Sequence, residues 1–472
     1  MIDSLLLLSF PVLFSICRKD PDRFILVWLF LSAFSYDMLI VFGLNLRVVS
    51  FDRLAFLASA LAMIANGHFS KLFPNRFSRL EKAYLLFAFM FLLEAVMKFS
   101  PRDAFSLWTN ALDTYLLPFY FYLFTRYLLT RDGRYNDELE QRMVMTLAIV
   151  GFLCAAMSIF EGVTGIDLLP GPGEDGLRQE GGARRANGPF WCPGVTGQYL
   201  SWILLLVMYR WRVRRVANST SRPVPKVITV PYTLLLVAGM YFVMFRNIWG
   251  GFLGGCSIRY LFSRKGRLAF LVVVVLVFAG LMASWQQFTK TKLYQERISN
   301  VENVYDRLGA WLYAFRAFSE NPLTGIGTLR MKQYIRGAQA AGDDLRVMDV
   351  PATYHPHNTI IALLAENGLL AAVPFCLVIW YFIRLVRACV RLGQTPADVE
   401  FGLYAISAVF AIYAPALTDR NLEYNKLNNL LWVIFALVTA HHAKLVGAVA
   451  PGLTGKPLAC TPTPEVTQTS AY

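Results

Sequence analysis

Long apolar runs dominate the chain, and short polar segments separate them. The runs are continuous rather than alternating, which is typical of membrane-spanning helices. Helices suit this pattern because a span must satisfy its own backbone polar groups inside the bilayer. We predict about 12 or 13 spans, since several runs are shorter than the roughly 20 residues of an upright span. The runs are 3–17, 24–43, 54–67, 83–97, 105–127, 143–160, 194–209, 227–245, 247–262, 268–284, 357–383, 400–417 and 428–446.

Composition and charge support an all-α polytopic membrane protein. Of the 472 residues, 56% are hydrophobic and only 16% are charged, which is too apolar for an ordinary soluble enzyme. The net charge of +14 would suit nucleic acid. However, Lys and Arg concentrate in alternate short loops such as 18–23 and 210–226, as the positive-inside rule expects of cytoplasmic loops. We therefore predict a lipid bilayer around the protein, no nucleic-acid partner, and loops 161–193 and 285–356 on the outside.

The chain divides into one membrane domain, residues 1–450, and a tail, residues 451–472. The tail is rich in Pro, Thr and Ala, which predicts a disordered cytoplasmic segment. The first apolar run lacks a basic start and a small-residue cleavage site, so we expect a retained span. In the large external segment, the apolar spacing predicts an amphipathic helix at 303–319. The stretch 332–352 has the composition of a mobile loop.

Two of the five histidines, His355 and His357, lie at the boundary between the external segment and the next span. Imidazole can hold or release a proton near neutral pH, so this position suits a general acid or base. His357 is the better base because Asn358-Thr359 can open the following helix and fix its orientation. The bland alternative is a histidine that satisfies a backbone carbonyl at a helix start. The His-Pro-His pair has no third His or Cys cluster nearby, which argues against zinc, and we predict no metal and no cofactor.

Arginines supply the other candidates. Arg246 stands between two apolar runs, where a charge is costly unless it is paired or faces water, so it should meet a carboxylate or an anionic ligand. A structural ion pair is the alternative. Arg185 lies in the Gly- and Pro-rich loop 161–193, which either folds back against sugar or phosphate oxygens or lies at the interface, anchored by Trp191. Arg307 is on the predicted amphipathic helix, where the usual fate of arginine is a solvated face.

The sequence also resembles a known family. The resemblance covers roughly residues 150–385 and is carried by the stretches 185–190, 245–247, 306–311, 320–327, 357–358 and 366–370. These resemble the bacterial O-antigen ligase and polymerase family of integral membrane glycosyltransferases.

The resemblance implies a metal-independent glycosyltransferase of the bacterial inner membrane whose active site faces the periplasm. Its donor would be an undecaprenyl-diphosphate-linked oligosaccharide or polysaccharide. Arg246 and Arg307 would grip the diphosphate and His357 would act as the base. Guanidinium groups offer paired donors to phosphate oxygens, which agrees with this assignment. We expect a single inverting displacement, with Arg185, Lys332 and Arg336 assisting substrate binding.

Three functions remain open. A polymerase would extend a lipid-linked glycan, and the Gly-Pro-Phe form of the 185–190 loop favours this for exopolysaccharide or O-antigen. A ligase would move the finished chain to an acceptor such as lipid A–core. A transporter or flippase of lipid-linked glycans would explain carboxylates within the spans, at Asp37, Glu94 and Asp113. Transporters commonly carry internal repeats, and this chain shows no clear repeat.

Overall fold

A computed structural model describes most of the chain, and nearly all of the described part is helical. The described residues are 3–34, 50–74, 76–98, 104–133, 135–169, 179–180, 183–190, 192–216, 226–243, 246–261, 264–283, 289–290, 302–342, 346–347, 350–351, 356–417 and 425–453.

The described residues form the following helices in chain order. They are α1 Asp3–Lys19, α2 Pro21–Ser32, α3 Phe51–Ala65, α4 Arg79–Met97, α5 Ala104–Ala111, α6 Leu117–Thr130, α7 Asp137–Thr164, α8 Pro193–Val216, α9 Lys226–Val243, α10 Arg246–Leu261, α11 Arg264–Ala283, α12 Glu302–Glu320, α13 Met331–Ala340, α14 Thr359–Leu392, α15 Pro396–Ala416 and α16 Asn425–Leu453. A π-helical turn, Leu112–Leu116, joins α5 to α6. Two short antiparallel ladders pair β1 Gln179–Glu180 with β2 Ala183–Arg184, and β3 Arg346–Val347 with β4 Val350–Pro351.

The all-α prediction is confirmed, and the described part of each predicted apolar run lies mostly in helix. By length and composition, four helical segments in the described residues could cross a membrane: Asp137–Thr164, Thr359–Leu392, Pro396–Ala416 and Leu427–Gly447. These apolar helices support a multi-pass membrane protein. Residues 454–472, most of the predicted tail, lie outside the described residues.

The external segment departs from its prediction in one place. Helix α12 confirms the amphipathic helix predicted at 303–319. The loop predicted at 332–352 is wrong over its first half, because α13 occupies Met331–Ala340. This helix buries Met331 and Ile335 in a small core with Tyr313, Ala314 and Ala317 of α12 and Ala365 of α14.

Aromatic stacking and buried polar contacts hold the main bundle together. Trp28 of α2 stacks on Phe121 of α6 with ring centroids 3.8 Å apart, and its indole N–H donates to Asp52 of α3 at 2.9 Å. Arg53 of α3 meets Asp113 of the π turn through two hydrogen bonds, of 2.8 and 2.6 Å. One of the three intramembrane carboxylates that suggested transport therefore forms an ion pair within the bundle. Asp37 lies outside the described residues.

Glycines on α10 allow a close approach to α15. A Cβ at Gly251 would lie 2.8 Å from the Ala411 carbonyl oxygen, and one at Gly255 would lie 2.7 Å from the Ser407 oxygen. Because a later residue of α10 meets an earlier residue of α15, the two helices run antiparallel. The start of α10 is therefore level with the end of α15.

Helix α14 is broken at Gly368, which adopts φ 64° and ψ −165°. The segment 321–329 docks in this break by main-chain hydrogen bonds. Ile326 N–H donates to the Ala365 oxygen at 2.9 Å, and Leu369 N–H donates to the Pro322 oxygen at 2.9 Å. The two stretches 320–327 and 366–370, which are separate motifs in the sequence, thus form one structural unit.

That unit depends on two glycines with positive φ. A Cβ at Gly325 would lie 2.3 Å from the Glu366 carbonyl carbon, and a Cβ at Gly368 would lie 2.3 Å from the Leu323 oxygen. Each glycine thus lets the backbone of the other stretch approach closely. As a result, the small core of α12 and α13 is held against the N-terminal part of α14, before the break at Gly368.

Candidate active site

His357 lies where the backbone turns into α14, and its side chain is half-buried. Its φ is 45°, in the left-handed region that residues with a side chain rarely adopt. The neighbouring residues are held on both sides. The indole N–H of Trp311 donates to the Pro356 carbonyl. The Asn358 side chain caps α14 by accepting two backbone N–H groups of the first turn, at 3.0 Å each.

The end of α15 completes this junction. Asn358 Nδ2 donates to the Leu417 carbonyl at 2.8 Å. Since the start of α10 is level with the end of α15, the backbone of Arg246 lies on the same side of the bundle as His357. We call this side, formed by the starts of α10 and α14 and the end of α15, the site face. The side chain of Arg246 lies outside the described part of the structure.

Arg307 approaches the junction from α12. It precedes Trp311 by one helical turn, so the two side chains leave α12 on the same side. Trp311 reaches Pro356, the residue before His357. The partly buried Arg307 side chain therefore lies on the side of α12 that faces the histidine turn.

Arg185 is fixed beside the break that precedes Arg246. Its Nε–H donates to the carbonyl of Val243, the last residue of α9, at 3.3 Å. The carboxylate of Glu161 on α7 fixes this loop by accepting hydrogen bonds from the backbone N–H groups of Asn187, at 2.9 Å, and Gly188, at 2.8 Å. Of the two interpretations of this loop, a folded-back position between helices agrees with the burial of residues 186–190. Trp191, the proposed surface anchor, lies outside the described residues.

Lys332 and Arg336 are less closely joined to this site. Both side chains are exposed, and they stand one turn apart on α13, about 100° around the helix from the buried Met331 and Ile335. A ligand that met them would lie at the outer surface of the site. Their predicted part in substrate binding stays a prediction.

The other candidate histidine, His355, lies outside the described residues. In the part of the chain that the structure describes, no group of three or more His, Cys, Asp or Glu side chains could hold a metal ion. The sequence argument against zinc stays a prediction.

A comparison with models of known families tests the resemblance that the sequence suggests. Residues 231–376 match the family model described as O-antigen ligase. We refer to this stretch, which is similar to O-antigen ligases, as the O-antigen ligase domain. The matched stretch takes in Arg246, Arg307 and His357, leaves out Arg185, and confirms the predicted family. No curated protein matches the chain.

A buried polar network ties the O-antigen ligase domain to α4, and sequence reasoning missed it. Glu94 of α4 is 1% exposed and accepts hydrogen bonds from the Thr328 hydroxyl at 3.0 Å and from Asn367 Nδ2 at 2.8 Å. Asn367 Nδ2 also lies 2.6 Å from the Thr328 hydroxyl. A single glutamate in an apolar run gave no sign of these partners. In the structure it anchors the docked segment 321–329.

Lys98, directly after α4, extends the same anchor. Its ammonium group donates to the carbonyl of Thr324 at 3.0 Å and to that of Gly325. Arg330 donates to the Lys98 carbonyl at 2.8 Å. Burial lowers the pKa of Lys98, while the nearby Glu94 carboxylate raises it. These contacts fix the segment that leads from α12 to α13 in the O-antigen ligase domain.

Proposed function

We propose that the chain transfers a glycan from an undecaprenyl-diphosphate-linked donor to an acceptor hydroxyl at the site face. The family match supports glycan transfer of the O-antigen ligase and polymerase type. The proposal of a catalytic site at His357 rests on the junction there. Trp311 of α12 and the C-terminal end of α15, at Leu417, fix the turn from both sides. Arg307 shares a helix side with Trp311, and Arg246 begins the helix that packs on α15.

The proposed reaction is one inverting, metal-independent displacement. The acceptor oxygen forms a bond to the anomeric carbon, and the bond between that carbon and the donor phosphate oxygen breaks. The electron pair leaves with the diphosphate, and the hydroxyl proton passes to the imidazole of His357. Negative charge grows on the leaving phosphate during this step. Arg246 and Arg307 stabilise it with fixed, permanently charged donors.

The proposed location is the bacterial inner membrane with the site face in the periplasm. The basic loops at the opposite helix ends, such as 18–23 and 264–267, support this orientation. We propose a polymerase of O-antigen or exopolysaccharide over a ligase to lipid A–core, because of the Gly-Pro-Phe form of residues 188–190.

The described carboxylates do not favour transport. Glu94 is bound by Thr328 and Asn367, and Asp113 is paired with Arg53. Both therefore serve the packing of the bundle rather than standing open to a coupling ion.

The test is transfer by purified protein in lipid nanodiscs, supplied with lipid-linked donor from the host. His357→Ala should lower the rate by about 10²–10⁴-fold because it removes the base. His355→Ala, two residues earlier in the chain, is the matched control and should keep most of the rate. A chelator should leave the wild-type rate unchanged. Full activity of His357→Ala, with unaltered folding, would contradict the assignment of the base.

A gene deletion separates the two forms of the function. A polymerase is expected to leave single repeat units on the lipid carrier when it is lost. Long lipid-linked chains that never reach lipid A–core would instead identify a ligase. Glycans from the deletion strain are resolved by gel electrophoresis and mass spectrometry.

A further inference from the structure

A basic cavity lies between the C-terminal parts of α6 and α16 and the short 3-10 turn Phe69–Leu72. It encloses about 450 Å³, within the range of roughly 300–1,000 Å³ that is typical of small-molecule sites. Three cationic side chains line it: Lys71, Arg126 and Arg131. None of the described lining residues is Asp or Glu, so the charge that faces this space is positive.

The cavity lies on the side of the bundle opposite to the site face. On α16 its wall runs from Thr439 to Ala443, and Nε2 of His441, between them, lies 3.3 Å from Oδ1 of Asp398 at the start of α15. The site face is at the other end of α15, at Leu417. Helix α15 separates these two levels by about 28 Å. The cavity is therefore too distant to bind the diphosphate of a donor at the site face.

The two arginines are fixed by carboxylates outside the cavity and retain unused donors. Arg126 donates a hydrogen bond to Glu81, and Arg131 donates one to Asp22 at 2.7 Å. Neither carboxylate lines the cavity. A guanidinium group carries five N–H donors, so most donors of both side chains meet no acceptor among the described residues. Two oriented guanidinium groups can therefore offer paired donors to an anion in this space.

The charge balance also calls for an anion. Lys71 is exposed and forms no ion pair with a described residue. Together with Arg126 and Arg131 it gives three positive charges against the carboxylates of Glu81 and Asp22, an excess of one. The Arg126 side chain is only 15% exposed, and positive charge at such a depth is costly without a counter-ion. A phosphodiester carries one negative charge and matches this excess.

Apolar surface beside the cavity indicates that the phosphodiester belongs to a lipid. Pro74 lines the cavity, and Phe73 directly before it is 44% exposed. Phe69 packs edge-on against Phe73, with ring centroids 5.6 Å apart. A phospholipid carries its phosphate next to acyl chains, so one molecule can meet the cations and cover these rings. Basic pockets between membrane helices on the cytoplasmic side bind anionic headgroups in this way.

We propose that the cavity binds the phosphate group of an anionic phospholipid from the leaflet opposite to the site face. The proposal concerns a second ligand and does not rest on glycan transfer. Its test compares two double variants with the same change of charge. Lys71→Gln with Arg131→Gln removes two cations from the cavity wall. Lys82→Gln with Arg142→Gln removes two exposed cations that are not among the described lining residues.

The two pairs are matched in their contacts as well. Arg131 pairs with Asp22, and Arg142 pairs with Glu138, so each double variant breaks one ion pair. The purified full chain in detergent is titrated with phosphatidylglycerol, and bound lipids are counted by native mass spectrometry. Phosphatidylcholine and inorganic phosphate are titrated in separate arms. Melting temperatures show whether each variant is folded.

We expect the wild type to bind one phosphatidylglycerol tightly, and the cavity pair to raise its Kd by at least about tenfold. The control pair should stay within about twofold of wild type. Phosphatidylcholine should bind more weakly, because its choline group balances the phosphate charge. Lys71→Gln alone should give a smaller effect of the same sign. It serves if the cavity pair does not fold, because Lys71 forms no ion pair with a described residue.

Three results would overturn the assignment. One is a wild-type protein that binds no phosphatidylglycerol. Another is equal weakening in both pairs, which would mean that the overall positive charge of this side attracts the lipid. The third is inorganic phosphate that competes as tightly as the lipid, which would assign the cavity to a free anion. Failure of the proposed glycan transfer is seen separately, in the assay with lipid-linked donor.

Discussion

The backbone of His357 is strained, and the residues around it explain how the strain is maintained. Its φ of 45° costs about 1–3 kcal/mol for a residue with a side chain. Pro356 is held by the Trp311 indole, and Asn358 is held by the helix cap and the Leu417 carbonyl. The turn is thus determined by its neighbours, because contacts from α12 and α15 hold the residues on either side of His357. Such strain is commonly stored at functional sites.

The paired donors of the guanidinium group give a prediction for individual arginine residues. Arg246→Lys and Arg307→Lys keep the charge but lose the paired donors, so each should lower the transfer rate by on the order of 10²-fold. Arg316→Lys is the matched control, because Arg316 is on α12, about half exposed, and pairs with Glu320 at 3.2 Å. Rates are measured with lipid-linked donor in nanodiscs. Near-normal rates in both site variants would contradict paired phosphate binding.

The sequence predicted those site residues whose signal is local. His357 is at a polar–apolar boundary, and Arg246 interrupts an apolar run, so each stands out from its neighbours. Glu94 could be noticed but not explained, because its partners Thr328 and Asn367 are 234 and 273 positions away. A buried hydrogen bond between distant segments leaves no periodic pattern in the sequence.

At the scale of elements, α12 and α13 show where periodicity succeeds and where it fails. The helical spacing of an apolar stripe that includes Val304, Leu308 and Leu312 predicts helix α12, although these side chains are exposed in the structure. The helix buries Tyr313, Ala314 and Ala317 on its other side. Helix α13 has 10 residues and buries only Met331 and Ile335. No side chain caps its start, and its apolar stripe of Met331, Tyr334, Ile335 and Ala338 covers only about two turns, so the sequence signal is short.

The docking of segment 321–329 on α14 can be tested through its glycines. Gly325→Ala and Gly368→Ala each add a Cβ within about 2.3 Å of backbone atoms at a positive φ, so each should lower the free energy of unfolding by at least about 2 kcal/mol. Gly337→Ala in α13 is the control. A Cβ there meets nothing within 4 Å, and it should stabilise the helix by roughly 0.5–1 kcal/mol. Thermal unfolding in detergent gives the comparison, and equal melting of all three variants would contradict the docking.

At the scale of the whole molecule, apolar side chains face outward as well as inward. Leu268, Leu271 and Leu276 of α11 are more than half exposed. In water such a surface would be costly, whereas acyl chains cover it without penalty. Composition and run length predicted this all-α membrane class. They could not predict which helices meet, because lipid-facing and bundle-facing sides are both apolar.

The Arg53–Asp113 pair tests whether an intramembrane carboxylate holds the bundle or serves transport. Asp113→Ala leaves a largely buried cation and should destabilise the protein by about 3–5 kcal/mol. Arg53→Met combined with Asp113→Leu removes both charges and should cost less than the single change. Melting temperature and cellular glycan length are measured for both variants. A well-folded double variant without glycan product would contradict a purely structural pair.

The packing of Gly325 and Gly368 against backbone atoms limits the substitutions that the protein can accept at these two positions. Each added Cβ would collide with main-chain atoms of the other stretch and not with a side chain. A second substitution elsewhere can shorten a side chain, but it cannot remove a carbonyl or an amide. A second side-chain substitution therefore cannot relieve either collision, and Gly325→Ala and Gly368→Ala are each expected to stay destabilising whatever side chains surround them.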